Sequence, residues 1–393
     1  MNKKNVLFIS HSSDLYGAEK SLLLLLKNIN REIFKPIIIL PNAGPLYEII
    51  EKYNIKAYEV KLSWWVKSND KKHTIYSFLR FIKKLMNELL SFYKLLKIIK
   101  KEKINLIYTN TIVVGSGSIA AKILKVPHIW HIREIINHNS NITPIFERKF
   151  LFKFIKRFSD KIIVNSKATA EQFDIIGESK KKFCIVYNAI DLRDFKLKKN
   201  EHRSNKGIYE FDWLVAVVGS IQPIKRQVDA IQSIKLAKRI IPNIKLLVIG
   251  GDGDCKYINK LKEIIKKENL IENVLFMGYR DDVPNILLRC KALLVPSWNE
   301  SFGRAVIEGM AACIPVIAVN SGGPKEIITN EIDGFLVPPQ KPKIISKKII
   351  ELYNSPSMRK TIGHNARKTV EKRFNVNLYV RNIEKIMIEV INK

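Results

Sequence analysis

Residues 296–326 read PSWNESFGRAVIEGMAACIPVIAVNSGGPKE. The apolar run 292–295 just ahead of them stops at Pro296, as a short buried strand does. Residues 300–303 then make a turn, and 304–312 carry small and apolar side chains at helical spacing. A second strand follows at 314–319 and ends in Ser321-Gly322-Gly323-Pro324. Strand, turn, helix and strand in this order are the repeating unit of a parallel α/β sheet. Two carboxylates, Glu300 and Glu308, flank the helix start. On one continuous helix they would stand about 12 Å apart along the axis. With Glu300 in the loop instead, both reach one ligand from two ends. The amides of Phe302, Gly303 and Arg304 would then serve as first-turn donors to hydroxyl or phosphate oxygens. Gly303 lets that backbone approach closely. The plainer reading makes Glu300 a helix cap and Glu308 a solvated helix residue.

The same alternation extends in both directions. Downstream of residue 207, strands are expected at 213–218, 246–249 and 274–277, each followed by a turn and a helix. The first turn holds Gly219, Ser220, Lys225 and Arg226; the second is Gly250-Gly251-Asp252-Gly253; the third is Gly278-Tyr279-Arg280. In the first half, strands are expected at 5–10, 36–40, 56–60, 104–109, 127–130 and 161–164, with helices at 18–29, 45–53 and 115–124 between them. Ligands of open parallel sheets bind outside the carboxyl ends of strands. Gly17, in the turn after the first strand, is therefore a candidate by position, and His131 stands after the strand at 127–130. A histidine at a strand end is also a common structural hydrogen-bonding group.

A chain of 393 residues with 46% apolar content suits two domains of similar size. No apolar run approaches the roughly 18 residues that span a bilayer. His11, Ser12, Ser13 and Asp14 interrupt any signal-peptide core, so a cytoplasmic protein is expected. Cys184, Cys255, Cys290 and Cys313 show no metal or disulfide spacing and are expected as buried thiols.

The formal charge of +31, from 68 Lys and Arg against 37 Asp and Glu, calls for an anionic partner or reflects a Lys-rich composition. The excess is larger in residues 1–200. There, 77–103 reads as a basic amphipathic helix, with Phe78, Phe81, Leu85, Leu89, Phe92 and Leu96 on one face and lysines on the other. Trp64, Trp65 and a second basic cluster from Arg148 to Arg157 join it. Contact with an anionic membrane surface, peripheral on the inner face of the cell membrane, and an ordinary packed helix with a solvated face are both open readings. No RNA-binding motif or aromatic platform is present, which argues against nucleic acid as partner.

The spacing E-x7-E at Glu300 and Glu308, followed by the Pro-Val-Ile strand and the Gly-Gly turn before Glu326, resembles the donor site of glycosyltransferase family 4. The resemblance covers nearly the whole chain. It implies the GT-B architecture: α/β, two facing Rossmann-like domains with parallel sheets. The first, at 1–200, would bind the acceptor and the second, at 208–373, the donor, with residues 196–207 as linker. A terminal helix within 374–393 would return to the first domain. The resemblance implies a retaining hexosyltransferase. It would move sugar from a UDP- or GDP-sugar donor to a glycan or polyprenyl-linked acceptor in surface polysaccharide or glycolipid assembly, with no metal and no other cofactor.

By the same resemblance, Glu308 holds the ribose hydroxyls, and Glu300 with the amides of Phe302, Gly303 and Arg304 holds the sugar. Lys225 contacts the diphosphate, helped by Arg226. Tyr279 and Arg280 meet the base, Gly17 approaches the diphosphate or the acceptor, and His131 faces the transferred sugar. Departures from the family pattern are Tyr16 and Ala189 in place of glycines, Ser220 in place of an arginine and Arg226 in place of a glycine. Ser220 opens a second reading, a non-catalytic nucleotide-sugar-binding partner subunit of the same fold. A GT-B sugar epimerase is disfavoured by E-x7-E.

Overall fold

Runs of isoleucine, valine and leucine, each a few residues long and closed by a turn, pair side by side into two all-parallel sheets. The computed structural model describes residues 3–68, 78–136, 142–144, 147–173, 181–196, 213–251 and 253–393. The chain divides into two compact units, Met1–Asn188 with Val376–Lys393, and Ala189–Asn375. Most of the expected linker, residues 197–207, and Asp252 of the second glycine turn lie outside the described residues.

The first unit contains β1 (Lys4–Ile9), α1 (Gly17–Asn28), β2 (Phe34–Leu40), α2 (Pro45–Lys52), β3 (Lys56–Glu59) and β4 (Val66–Ser68). It continues through α3 (Phe78–Lys101), β5 (Leu106–Asn110), α4 (Ser116–Leu124), β6 (His128–Ile132), β7 (Ile142–Pro144), α5 (Arg148–Arg157), β8 (Lys161–Val164), α6 (Lys167–Glu171) and β9 (Phe183–Ile185). Seven strands form one sheet in the order β3-β2-β1-β5-β6-β8-β9, and β4 pairs antiparallel with β7. Leu7 pairs with Ile37 on one side and Ile107 on the other. Helices on both faces bury these strands, which is why they read as unbroken apolar runs rather than as alternating ones. Leu7, Ile9, Ile37, Ile107 and Trp130 are sealed in the resulting core.

The second unit contains β10 (Trp213–Val218), α7 (Gln227–Ala237), β11 (Ile244–Ile249), α8 (Cys255–Lys267), β12 (Val274–Gly278), α9 (Val283–Leu287) and β13 (Ala292–Val295). After these come α10 (Arg304–Ala311), β14 (Val316–Val319), α11 (Pro324–Ile327), β15 (Phe335–Val337), α12 (Pro342–Asn354) and α13 (Pro356–Arg373). Its strand order is β12-β11-β10-β13-β14-β15, again all parallel. The chain then re-enters the first unit as α14 (Val376–Ile391), which packs on α1 and beside β5 and β6.

Two expectations need correction. Only Cys290 is buried; Cys184 is half-buried, and Cys255 and Cys313 are exposed, one opening α8 and the other just past α10 in the left-handed region at φ +59°. Helix ends and turns of this kind lie at the surface, so a small apolar residue there escapes the core. The strand expected at 127–130 runs on through Ile132, which puts His131 inside β6. Among the described residues no helix is long and apolar enough to cross a membrane.

Candidate active site

Strand order in the second sheet reverses at β10, with β11 to one side and β13 to the other. A parallel sheet leaves a crevice at such a point, outside the carboxyl ends of the two diverging strands. The loops after β10 and β13 therefore meet, although 75 residues separate them. The β10 loop passes Gly219 at φ +144°, makes a 3-10 turn at Pro223–Lys225, and enters α7 through Arg226 in the left-handed region at φ +54°. The β13 loop is tied to it where the Trp298 amide donates to the Ile224 carbonyl at 3.2 Å. This sets Lys225 Nζ 2.5 Å from Glu300 Oε1.

The loop around Glu300 is tied to the turn after β14 by two hydrogen bonds. The Glu300 carbonyl accepts the Gly323 amide at 2.8 Å, and the neighbouring Asn299 amide donates to Ser321 Oγ at 3.1 Å. A Cβ on Gly322 would fall 2.2 Å from the Glu300 carbonyl oxygen, and one on Gly323 2.2 Å from that of Phe302. The paired glycines after β14 thus allow two loops to touch backbone to backbone. Burial would raise the Glu300 carboxyl pKa; the adjacent Lys225 charge and the hydrogen bonds from Lys225 and Ser297 outweigh it, and the group is held below its ordinary value.

The other residues of this stretch divide. Phe302 is core, its ring edge-on to Phe374 with centroids 5.8 Å apart. Gly303, at φ +90°, is the N-cap of α10. From the first position of the helix, Arg304 Nε donates to Glu308 Oε1 one turn on at 2.9 Å, and its Nη1 reaches the Ala189 carbonyl at 3.3 Å. Glu308 is thus on the same helix that Glu300 precedes, with its carboxylate engaged by a cation. Arg226 turns along its own helix and forks onto Asp229 with bonds of 2.9 and 2.8 Å. Ser220 contributes its carbonyl to Gln227 Nε2 at 3.0 Å.

The ends of β11 and β12 close the same side of the sheet. The Gly250 amide donates to the Gly278 carbonyl at 2.9 Å, and a Cβ on Gly250 would lie 2.0 Å from the Gly219 carbonyl oxygen. Beyond Gly278, at φ +65°, Tyr279 is half-exposed and Arg280 forks onto Asp282 with two bonds of 2.7 Å. Asp254, next to the glycine turn, caps α8 by accepting from the Lys256 and Tyr257 amides.

In the first unit the order reverses at β1, between β2 and β5. Gly17 opens α1 there, with no atom within 4 Å of where a Cβ would stand, so packing does not demand glycine. His131 is fully buried, its Nδ1 facing the Tyr108 hydroxyl and, at 3.2 Å, Arg133 Nη2. Burial first, and then the Arg133 charge, push its pKa well below the ordinary value, so the ring is neutral.

Arg133, to which sequence gives no role beyond a pairing with Glu134, is the hub of this unit. Its Nε donates to Asn110 Oδ1 at 2.7 Å, its Nη1 to Asn188 Oδ1 at 2.6 Å and its Nη2 to the Tyr379 hydroxyl of α14 at 3.0 Å. Glu134 accepts the amides of Ile112 and Arg133 at 3.0 and 3.1 Å. The available signal was a charged Arg-Glu pair directly after a buried strand, where a cation must find several acceptors.

Two Rossmann-like units with all-parallel sheets, and loops gathered at a switch point, define the GT-B class of glycosyltransferase fold. Solved structures of that kind match along the whole chain. Anabaena HepE in complex with UDP-glucose superposes with a TM-score of 0.81 at 23% identity, covering 98% of this chain and 99% of that one. A glycosyltransferase from Rickettsia africae gives 0.79 at 21% identity, covering 100% and 99%.

The chain belongs to glycosyltransferase family 4. The profile for Glycosyltransferase Family 4 matches residues 16–194, and that for Glycosyl transferases group 1 matches residues 198–369. An uncharacterized glycosyltransferase of Methanocaldococcus jannaschii is 30% identical over 82% of this chain and 87% of its own length. The UDP-Gal:alpha-D-GlcNAc-diphosphoundecaprenol alpha-1,3-galactosyltransferase of Escherichia coli is 25% identical over 98% of this chain and all of its own.

Proposed function

We infer that this glycosyltransferase moves a hexose from a nucleotide-diphosphate sugar to a glycan or lipid-linked acceptor, with retention of configuration, in surface polysaccharide or glycolipid assembly. The observation that carries the reading is the Lys225–Glu300 pair at the switch point of the second sheet. A cation and a carboxylate 2.5 Å apart in a glycine-lined crevice present opposite charges to the two halves of such a donor. Lys225 neutralises the diphosphate, and Glu300 accepts hydrogen bonds from the sugar hydroxyls. Glu308, steadied by Arg304, takes the ribose, and the stretch after Gly278 takes the base. The E. coli relative, named for a UDP-sugar donor and a diphosphoprenol-linked acceptor, supports the same chemistry.

In the reaction, the bond between the anomeric carbon and the β-phosphate oxygen breaks while the acceptor oxygen bonds to that carbon from the same face. The acceptor's proton passes to the departing phosphate oxygen. Lys225 stabilises the negative charge that grows on the diphosphate, the kind of term that is largest in a site holding its charges in place beforehand. His131 is assigned a positioning part within the first unit, as a neutral ring between Tyr108 and Arg133.

The test is release of nucleoside diphosphate from a panel of UDP-, GDP- and ADP-sugars with a prenyl-diphosphate sugar as acceptor. Lys225→Ala and Glu300→Ala should each lower the rate of the folded enzyme by about a hundredfold or more. The proton coupling of the new anomeric centre reads retention or inversion. Ser220, where the family resemblance expects an arginine, favours the second reading of a non-catalytic nucleotide-sugar-binding subunit. Tight donor binding with no release from any sugar would select it.

A further inference from the structure

The loop after β3 carries two adjacent tryptophans in different environments. Trp65 is pinned. Its amide donates to the Val113 carbonyl at 3.2 Å, its Nε1 to that of Ile112 at 2.5 Å, and its ring stacks on Trp130 with centroids 5.4 Å apart. Gly115 makes room, since a Cβ there would stand 2.2 Å from the Trp65 ring. The residue before it is the opposite case. Trp64 is 45% exposed, and its ring centroid lies 5.4 Å from that of His11 at an angle of 53°.

His11 lies just past the carboxyl end of β1, at the switch point of the first sheet, where a parallel sheet receives its ligands. Behind it stands Glu19, 1% exposed, with Oε1 3.2 Å from His11 Nδ1. Neither atom has an aligned hydrogen-bond partner. A buried carboxyl group and a buried ring nitrogen without a full complement of bonds, beside an exposed indole held by an anchored neighbour, are a poor arrangement for stability alone.

We propose that Trp64 and His11, backed by Glu19, form a subsite on the first unit for one pyranose ring of the acceptor. A pyranose has an apolar C–H face and a hydroxyl rim. The C–H face packs on the exposed indole, and the rim reaches the imidazole. Burial lowers the His11 pKa to about 4 against the pull of Asp14, so the imidazole is neutral near pH 7 and bonds to hydroxyls without carrying a charge. Trp65 fixes the loop before the sugar arrives, so little conformational freedom is lost on binding. This assignment rests on the glycosyl-transfer reading and names the acceptor side of it.

The test uses the full chain, a panel of methyl glycosides of glucose, galactose, mannose and N-acetylglucosamine, and UDP in a separate titration. Saturation-transfer NMR should show at least one glycoside bound. Trp64→Ala should weaken it about tenfold and Trp64→Phe far less, with UDP affinity unchanged in both. His11→Ala should also weaken the glycoside. The proposal is overturned if no glycoside binds the unaltered chain, if Trp64→Ala binds glycoside as well as before, or if that change weakens UDP instead, which would make the ring a nucleobase platform. A chain that binds glycoside through Trp64 but does not bind UDP would sink the donor reading and leave the subsite standing.

Discussion

Lys225 and Arg226 are neighbours in the chain with different partners. The first meets Glu300 across the crevice, whereas the second is folded back on Asp229. The left-handed backbone at Arg226 is the cause, because it turns the chain into α7 and directs consecutive side chains apart. Sequence alone ranked both as diphosphate contacts; the fork onto Asp229 is a local matter of one helical turn that a motif does not record.

Another pair makes a sharper prediction. Burial raises the Glu19 carboxyl from 4.5 to about 7, and burial lowers His11 from 6.5 to about 4. The folded chain therefore keeps a proton on Glu19 that the unfolded chain loses, so this group alone makes stability fall as pH rises from 4.5 to 7. His11 alone does the reverse, since the unfolded chain binds a proton that the folded chain refuses below 6.5. Between these values the two slopes oppose, and unfolding passes a proton from Glu19 to His11 with little net exchange. In urea titrations across pH 4.5–6.5, Glu19→Gln should make stability rise with pH more steeply than in the unaltered chain. His11→Asn should shift the slope the other way, toward falling stability, relative to the unaltered chain. His128, lowered to about 3 by burial, adds the same slope to all three proteins and drops out of the comparison. Three parallel profiles would mean the pair is not shielded as described.

Helix α3 shows what periodicity specifies and what it leaves undecided. Its apolar residues recur every three or four positions, which identified the helix and its basic face. Packing then splits the apolar set: Leu95, Ile98 and Ile99 are buried in the first core, but Met86, Leu89, Leu90 and Tyr93 are 57–62% exposed. The exposed four sit at i, i+3, i+4 and i+7, one continuous stripe, with Lys94, Lys97, Lys100 and Lys101 following. On α5, Phe150 is likewise exposed among Arg148, Lys149 and Lys153. We propose an anionic lipid surface as the partner of this stripe, since it joins apolar side chains to a strongly positive surround. The chain should sediment with vesicles containing phosphatidylglycerol and less with neutral ones. Binding should fall as salt rises, and Leu89→Asp with Leu90→Asp should reduce it about tenfold or more while melting is unaltered. Equal retention on neutral vesicles would point to apolar contact without the charge.

Under the proposed function Lys225, Glu300, Glu308 and the stretch after Gly278, all in the second unit, would hold the donor, and this gives the chain a simple binding signature. A nucleotide sugar that binds only the folded form stabilises it by about 2.7 kcal/mol at roughly a hundredfold excess over Kd. The melting transition should rise by several degrees with one base among UDP-, GDP- and ADP-sugars. Lys225→Ala should abolish that rise. If every base shifts melting equally, the stretch after Gly278 is not reading the base.

Much of this was legible in the order of residues. Strands and helices of both units follow from apolar runs, from 3.6-residue periodicity and from Gly and Pro at the turns, and the Glu300–Glu308 stretch pointed to the family. These signals act over a few residues, so the sequence could express them directly. It could not show that Lys225 and Glu300 touch. That contact exists because β10 lies beside β13 in the sheet, and strand order is settled by long-range packing of whole elements. Nor could it show that His131 is sealed beneath Tyr108 and Arg133, or that Trp65 turns inward and Trp64 outward. Which side of an apolar residue meets water depends on what the rest of the chain brings against it, and only the tertiary structure decides that.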